Sequence, residues 1–254
     1  MSLWEFLQSH RAAQNEKFSH TGLVPMIGKY FIPPERLDTF YKLYNKSLKR
    51  NEILAITEMH EERSPLLVDI DFRFPEDVGT NRQYTDHDIH KIIRIYFEQI
   101  SRYFDVNLEV TNAYIFEKSS PVRFQGNIKD GIHIMFPTII SKPDVQYEIR
   151  ENIISLLKDT QCLSNINFKN SIDDLIDKSI ISKNPWLMYG SCKNNMEAYK
   201  LTHIYNNELY EQTHPSMCSL PKLLSIRNCE KESVLKQRIS YSCLLYTSPS
   251  PRDK

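Results

Sequence analysis

Neither sign of charge predominates in this chain. Of its 254 residues, 32 are Lys or Arg and 32 are Asp or Glu, so the formal net charge is zero. A uniformly basic surface is thereby excluded, and any groove for a polyanion has to be local. No run of about 18 apolar residues occurs, which excludes a membrane-spanning helix. The opening MSLWEFLQSH lacks the basic-then-apolar form of a secretory leader. Cysteine is scarce: five residues, an odd number without regular spacing, read as reduced thiols of an intracellular protein and not as a disulfide framework. Internal repeats and low-complexity segments are absent before Cys243. What is present is a hydrophobic content of 41%, enough for one large domain or two small lobes with a true core.

Periodicity divides the chain into helices and strands in mixed order. LWEFLQSH has the spacing of a short amphipathic helix. In PPERLDTFYKLYNKSLKRNE, Pro34 suits a first turn, and Leu37, Phe40, Tyr41, Tyr44 and Leu48 recur at helical intervals. Thr85 is the expected N-cap of a long helix, with Asp88 three residues on and Ile89, Ile92, Ile93, Tyr96 and Ile100 as its apolar stripe. A further helix opens at Pro143. EILAITEM, PLLVDIDFRF, LEVTNAYIFEK, GIHIMFPTII, LIDKSII, WLMYGS and YKLTHIY all read as strands. Helices inserted between strand pairs predict an α+β fold, with two lobes flanking a cleft.

Three segments carry chemistry. In SPLLVDIDFRFP, a strand puts Asp69 and Asp71 on one face with Leu67, and Leu66, Val68, Ile70 and Phe72 on the other. Two like charges on one strand face repel each other unless a cation intervenes, and hard oxygen ligands suit Mg²⁺ or Mn²⁺. The plainer alternative is an edge strand with two solvated carboxylates. In NIKDGIHIMFP, Gly131, His133 and Met135 share a face and Lys129 lies just upstream. A glycine that admits backbone approach, a lysine and a histidine together suit a phosphate chain; a satisfied core histidine is the alternative. In SIDDLIDKSIISKNPWLMYGSCK, Asp173 and Asp174 read as a solvated loop pair or a helix start. Asp177 instead sits between Leu175-Ile176 and Ile180-Ile181, where an acid calls for a metal, a cation or a cap. Lys183 and Lys193 bracket a turn at Gly190-Ser191 that could lie near a ligand. His203, His214, Cys218 and Cys229 lack the compact spacing of a zinc site, and no zinc is expected.

Taken in order, these segments resemble the archaeo-eukaryotic primase superfamily. PLLVDIDFRF, KDGIHIMFP, IDKSIISKNPWLMYGSCK and YKLTHIY are most similar to the N-terminal primase domain of primase–helicase proteins of nucleocytoplasmic large DNA viruses, the poxvirus, asfarvirus and mimivirus type. The resemblance runs from about Thr21, through GKYFIP, to LLSIR near Arg227. It implies a two-lobed catalytic core with an RRM-like sheet module and flanking helices around a cleft. It implies a DNA primase or primase-polymerase, with Asp69, Asp71 and Asp177 holding two divalent metals (Mg²⁺ or Mn²⁺). Lys129, Gly131, His133, Lys193 and, less directly, Lys183 and Ser191 would then bind the nucleoside triphosphate. Gly131 departs from cellular relatives, which often carry serine there, so a backbone amide would have to take over that hydroxyl's contact. The implied partners are a single-stranded DNA template, nucleoside triphosphates and a downstream superfamily 3 helicase, hexameric in the family. The implied setting is the cytoplasm or nucleus of an infected host. Two other readings are a nucleotide-sugar transferase with a metal-binding Asp-x-Asp, and a non-catalytic primase-like domain that loads a helicase.

The resemblance also sets domain limits. Residues 1–20 form an N-terminal extension, 21–230 the primase domain and 231–242 the start of a linker. In 243–254, CLLYTSPSPRD resembles an in-frame translation of a sequencing adapter. It is expected to pack against nothing, with the natural gene, and its helicase, continuing beyond the junction.

Overall fold

The computed structural model describes residues 1–193, 196–228 and 233–236, with Glu109 described by its backbone alone. In its N-terminal part, Ser2 caps α1 (Leu3–Ser9). The Ser2 hydroxyl accepts from the Glu5 N–H, and the Glu5 carboxylate accepts from the Ser2 N–H. That reciprocal pair satisfies two helix-end donors that would otherwise lack partners. Leu3, Phe6 and Leu7 pack with Phe40, Tyr41 and Tyr44 of α2 (Leu37–Lys49). Pro34–Arg36 form one 3₁₀ turn leading into α2. Alongside lies a small antiparallel sheet ordered β2-β1-β3-β8, made of β1 (His20–Gly22), β2 (Gly28–Tyr30), β3 (Ile56–Glu58) and β8 (Trp186–Leu187).

The larger sheet is ordered β4-β7-β5-β9, with β6 paired to β7. Its strands are β4 (Ser64–Phe74), β5 (Ala113–Glu117), β6 (Val122–Phe124), β7 (Asn127–Ser141) and β9 (Lys200–Tyr205), all antiparallel. Leu66, Val68, Ile70, Phe72 and Phe74 of β4 enter the main core with Ile89, Ile92, Ile93 and Ile100 of α3 (Asp86–Tyr103) and Ile149 and Ile153 of α4 (Pro143–Thr160). Each such side chain contributes roughly 1.5–3 kcal/mol on full burial, which makes β4 a firm platform. Leu67 lies on the opposite face with Tyr114, Phe116 and Met135. Helices therefore seal one face of the sheet, and the other carries Asp69 and Asp71.

Thr85 caps α3 as expected: the Asp88 carboxylate accepts from its N–H at 3.0 Å and its hydroxyl at 2.9 Å. Elsewhere the elements differ from the sequence reading. LIDKSII is not a strand. Ser171 caps the short α5 (Ile172–Leu175), and Asp177 accepts from Ser179 to start a 3₁₀ turn over Lys178–Ile181. Local polar caps thus outcompete a ladder, and the apolar pairs are buried on turns. EILAITEM and WLMYGS shrink to β3 and β8, and Leu108–Val110 form a 3₁₀ turn ahead of β5. β7 runs through Pro137 because the ladder is interrupted there: Leu66 faces Phe136 while Pro65 faces Ile140. A bulge accommodates the missing N–H. Of the proposed linker, residues 233–236 return to the domain. The Ser233 N–H donates to Ile140 O at 2.7 Å and the Lys236 N–H to Tyr103 O at 2.9 Å. The rest of 231–242, and all of 243–254, lie outside the described residues.

Candidate active site

The β4–β7 register assembles the first half of the site. Asp69 faces His133, Asp71 faces Gly131 and Arg73 faces Lys129. Directly opposed residues share a face, so their side chains meet. His133 Nε2 lies 3.4 Å from Asp69 Oδ1, and Lys129 Nζ lies 3.0 Å from Asp71 Oδ2. Arg73 approaches the same Asp71 oxygen at 4.0 Å.

Asp177 arrives by a different route, along the other edge of β4. Lys169 N–H donates to Arg73 O at 2.7 Å. The Asn170 amide imitates a strand residue: Nδ2 donates to Asp71 O at 2.8 Å, and Oδ1 accepts from the Arg73 N–H at 3.0 Å. Ile176 bridges to Ile70, and the Asp177 N–H donates to Asp69 O at 2.9 Å. From α4, buried Arg150 clamps the segment. Its Nε and Nη2 donate to Ile176 O at 2.9 and 2.6 Å, and Nη2 also donates to Asp173 O at 2.6 Å. The Asp177 carboxylate accepts from the Ser179 N–H at 2.8 Å and hydroxyl at 2.7 Å.

The electrostatics of these acids are unusual. Burial pushes the Asp69 carboxyl up to about 6, and the Asp177 charge adds to that against the opposing pull of Lys129, Lys193 and Lys118. Asp71 is raised too, burial outweighing Lys129. Burial, then Lys118 and Lys193, hold the His133 imidazole down to about 3, so it is neutral at pH 7. The ring is stacked on Tyr199, centroids 3.7 Å apart, with Trp186 at 5.0 Å. Lys118 stands over Tyr199, its Nζ 5.0 Å from the ring centroid. Burial, with Lys129 and Lys193 nearby, lowers the pKa of Lys118.

Asp69, Asp71, Asp177, Lys129, His133 and Lys193 all line one cleft of about 1140 Å³. Lys183 and Ser191 do not. Lys183 is exposed. Ser191 is buried; its hydroxyl bonds Tyr44 Oη at 2.8 Å and accepts from the Ile56 N–H at 2.9 Å, tying α2 to β3. The turn at Gly190 exists, with φ +80°, but a Cβ there would strike Leu48 Cδ2 at 2.5 Å, so it packs against α2 and not a ligand. Gly131 has a steric role: a Cβ would come within 2.7 Å of Tyr199 Oη. Its amide donates to Asp130 Oδ1 at 3.1 Å. His203, weighed above for zinc, places Nδ1 2.9 Å from Glu211; Cys229 lies outside the described residues.

Sequence reasoning missed Lys118, Tyr199, Trp186, Asn170 and Arg150. Lys118 had a partial signal, since it follows the strand in IFEKSSP. The β5–β7 register that pairs Phe116 with His133 is what brings it to the cleft.

A divalent cation is implied here, and the donor set tests the idea. Half-buried, mutually repelling carboxylate oxygens are suitable donors for a hard cation. Among the described residues, however, no three His, Cys, Asp or Glu side chains stand as a ready-made ligand group. Asp71 is turned onto Lys129, Asp69 onto His133 and Asp177 onto Ser179. The chemistry of this donor set fits a cation.

A family model described as the C962R protein N-terminal AEP domain matches residues 19–205. The chain is 32% identical over 221 residues to "Putative helicase L207/L206" of Acanthamoeba polyphaga mimivirus, covering 84% of this chain and 23% of that protein. It is 27% identical over 221 residues to "Putative helicase 184R" of Invertebrate iridescent virus 6, covering 78% and 22%. With "Putative helicase 121R" of Invertebrate iridescent virus 3 it shares 23% identity over 247 residues, covering 85% and 26%. The chain thus spans about a quarter of the length of these curated relatives.

Proposed function

Since the chain belongs to the archaeo-eukaryotic primase family, in its C962R N-terminal domain branch, we propose that it synthesises primers on single-stranded DNA as part of a viral primase–helicase. Family membership sets aside the nucleotide-sugar transferase. The observation that carries the proposal is the meeting of Asp69, Asp71 and Asp177 with Lys129, His133 and Lys193 on one cleft.

In this reading the three carboxylates hold Mg²⁺ or Mn²⁺. When bound, such ions activate the attacking 3′-hydroxyl and neutralise the leaving pyrophosphate. Lys129, paired here with Asp71 at 3.0 Å, would be released toward the triphosphate if that carboxylate held a cation. Neutral His133 donates one ring N–H to a phosphate oxygen, its plane fixed by Tyr199 and Trp186. Lys193 and Lys118 add positive charge at the same wall. Arg150 and Asn170 hold the backbone on which Asp177 and Asp71 ride.

The proposal includes a primase domain over 21–230 preceded by a docked extension at 1–20. It also includes a superfamily 3 helicase in the rest of the protein, as the helicase names of the relatives suggest. No helix among the described residues is long and apolar enough to cross a membrane. A second reading, a primase-like domain without catalysis, draws on the fact that no pre-assembled ligand group stands among the described residues.

Primer synthesis on single-stranded DNA, with ribo- or deoxyribonucleotides and Mg²⁺ or Mn²⁺, separates the two. Metal-dependent product from the wild type and none from Asp71→Asn supports catalysis. No product under any combination favours the second reading.

A further inference from the structure

The cleft has more room than a nucleotide needs. Its 1140 Å³ exceeds the roughly 300–1,000 Å³ of an ordinary small-molecule pocket. It extends past Asp71 to a wall formed by Val122 and Phe124 of β6, with Arg73 beside them. Phe124 is 54% exposed. It pairs with Asn127 across a two-residue turn whose central residues both have positive φ, Gln125 at 48° and Gly126 at 73°. That tight hairpin geometry matches strand twist and holds its flanking residues firmly. A large aromatic side chain is therefore presented to solvent by a stiff element at the cleft mouth.

Its surroundings are basic. Arg73 is 57% exposed. Lys169 is exposed, its Nζ 3.2 Å from Asn127 Oδ1 at the hairpin base. The chain as a whole is neutral, so this clustering is local. An exposed aromatic ring among cations suits a strand that offers both base faces and phosphates, and a duplex keeps its base faces stacked away.

We propose that the β6–β7 hairpin is the docking surface for single-stranded DNA entering the cleft. Phe124 stacks on a base, and Arg73 and Lys169 take flanking phosphates. This rests on the primase reading and deepens it by assigning the template's path, using residues separate from those proposed to bind the nucleotide.

The test is fluorescence anisotropy with a labelled single-stranded DNA oligonucleotide, with an RNA strand and a DNA duplex as further probes. Nucleoside triphosphate binding is measured on the same preparations, and circular dichroism checks folding. Phe124→Ala is expected to weaken single-stranded DNA binding about tenfold, and Phe124→Trp to restore it. Lys169→Ala should lower the slope of log affinity against log salt by about 0.7. Nucleotide binding should not change in any of them. Wild-type DNA affinity in Phe124→Ala overturns the proposal and leaves the primase reading standing. So does an equal loss of nucleotide binding, or tighter Phe124-dependent binding of RNA or duplex. A wild type that binds neither DNA nor nucleotide overturns both.

Discussion

The two faces of the large sheet each carry a cluster of acids, and the clusters are built on opposite principles. On the helix side, Glu117 and Asp130 are almost fully buried and fully partnered. Glu117 accepts from Arg82 Nη1 at 2.7 Å, Tyr84 Oη at 2.9 Å and Thr202 Oγ1 at 2.6 Å. Asp130 accepts from Arg82 Nε and from the Gly131 N–H, each at 3.1 Å. On the cleft side, Asp69 has the His133 ring at 3.4 Å, while burial and then the Asp177 charge push its carboxyl up. Asp130 and Gly131 are chain neighbours, so β7 passes from the Arg82-bonded cluster to the cleft face within a single residue. Acids whose oxygens are all engaged hold the fold together. Acids left short of positive charge are suited to receive it from a ligand.

The comparison breaks most severely at Arg82. Arg82→Ala leaves two buried carboxylates without their cation, and equilibrium urea unfolding should show a loss of about 3–5 kcal/mol. A loss below about 1 kcal/mol would mean that the helix-side cluster is no more structural than the cleft-side one. Arg150 sharpens the contrast, since it holds the Asp177 segment through the carbonyls of Asp173 and Ile176. Arg150→Ala should weaken divalent-cation binding by about 10–100-fold while nucleotide affinity measured without metal stays near wild type. Arg150→Lys should recover part of the difference. Equal losses of both affinities would assign Arg150 a general packing role.

The third effect is a pH dependence of stability. The folded Asp69 carboxyl titrates near 6 against an ordinary 3.8. Its ionisation therefore works against the fold. The penalty is absent below about pH 4 and grows as pH rises through 6. Asp69→Asn in metal-free buffer should match the wild-type melting temperature at pH 4 and exceed it at pH 8. A variant less stable than wild type at pH 8 would show that Asp69 is as well compensated as Glu117.

The sequence revealed much of this because strand parity is local information. Asp69 and Asp71 share a face, as do Gly131, His133 and Met135, whichever strands they meet. The α3 cap was equally local, carried by Thr85 and Asp88 alone. Registers were not legible. Lys118, Tyr199 and Trp186 reach His133 only through strand pairings and returns of the chain. Arg150 and Asn170 act on a segment that the sequence presented as a strand. Ser191 and Lys183 mislead in the opposite way, because closeness to Asp177 along the chain does not place them in the cleft. β1, β2 and β6 are three residues each, too short to show alternation.

Manganese binding tests the central claim most directly, that the cleft-side acids await a cation. Electron paramagnetic resonance counts free Mn²⁺ during a titration of the whole chain and of Asp69→Asn, Asp71→Asn and Glu117→Gln. Binding by the wild type and by Glu117→Gln, with loss in both aspartate variants, is the predicted result. Binding that survives in Asp69→Asn and Asp71→Asn, or no binding by the wild type with nucleotide present, would contradict it.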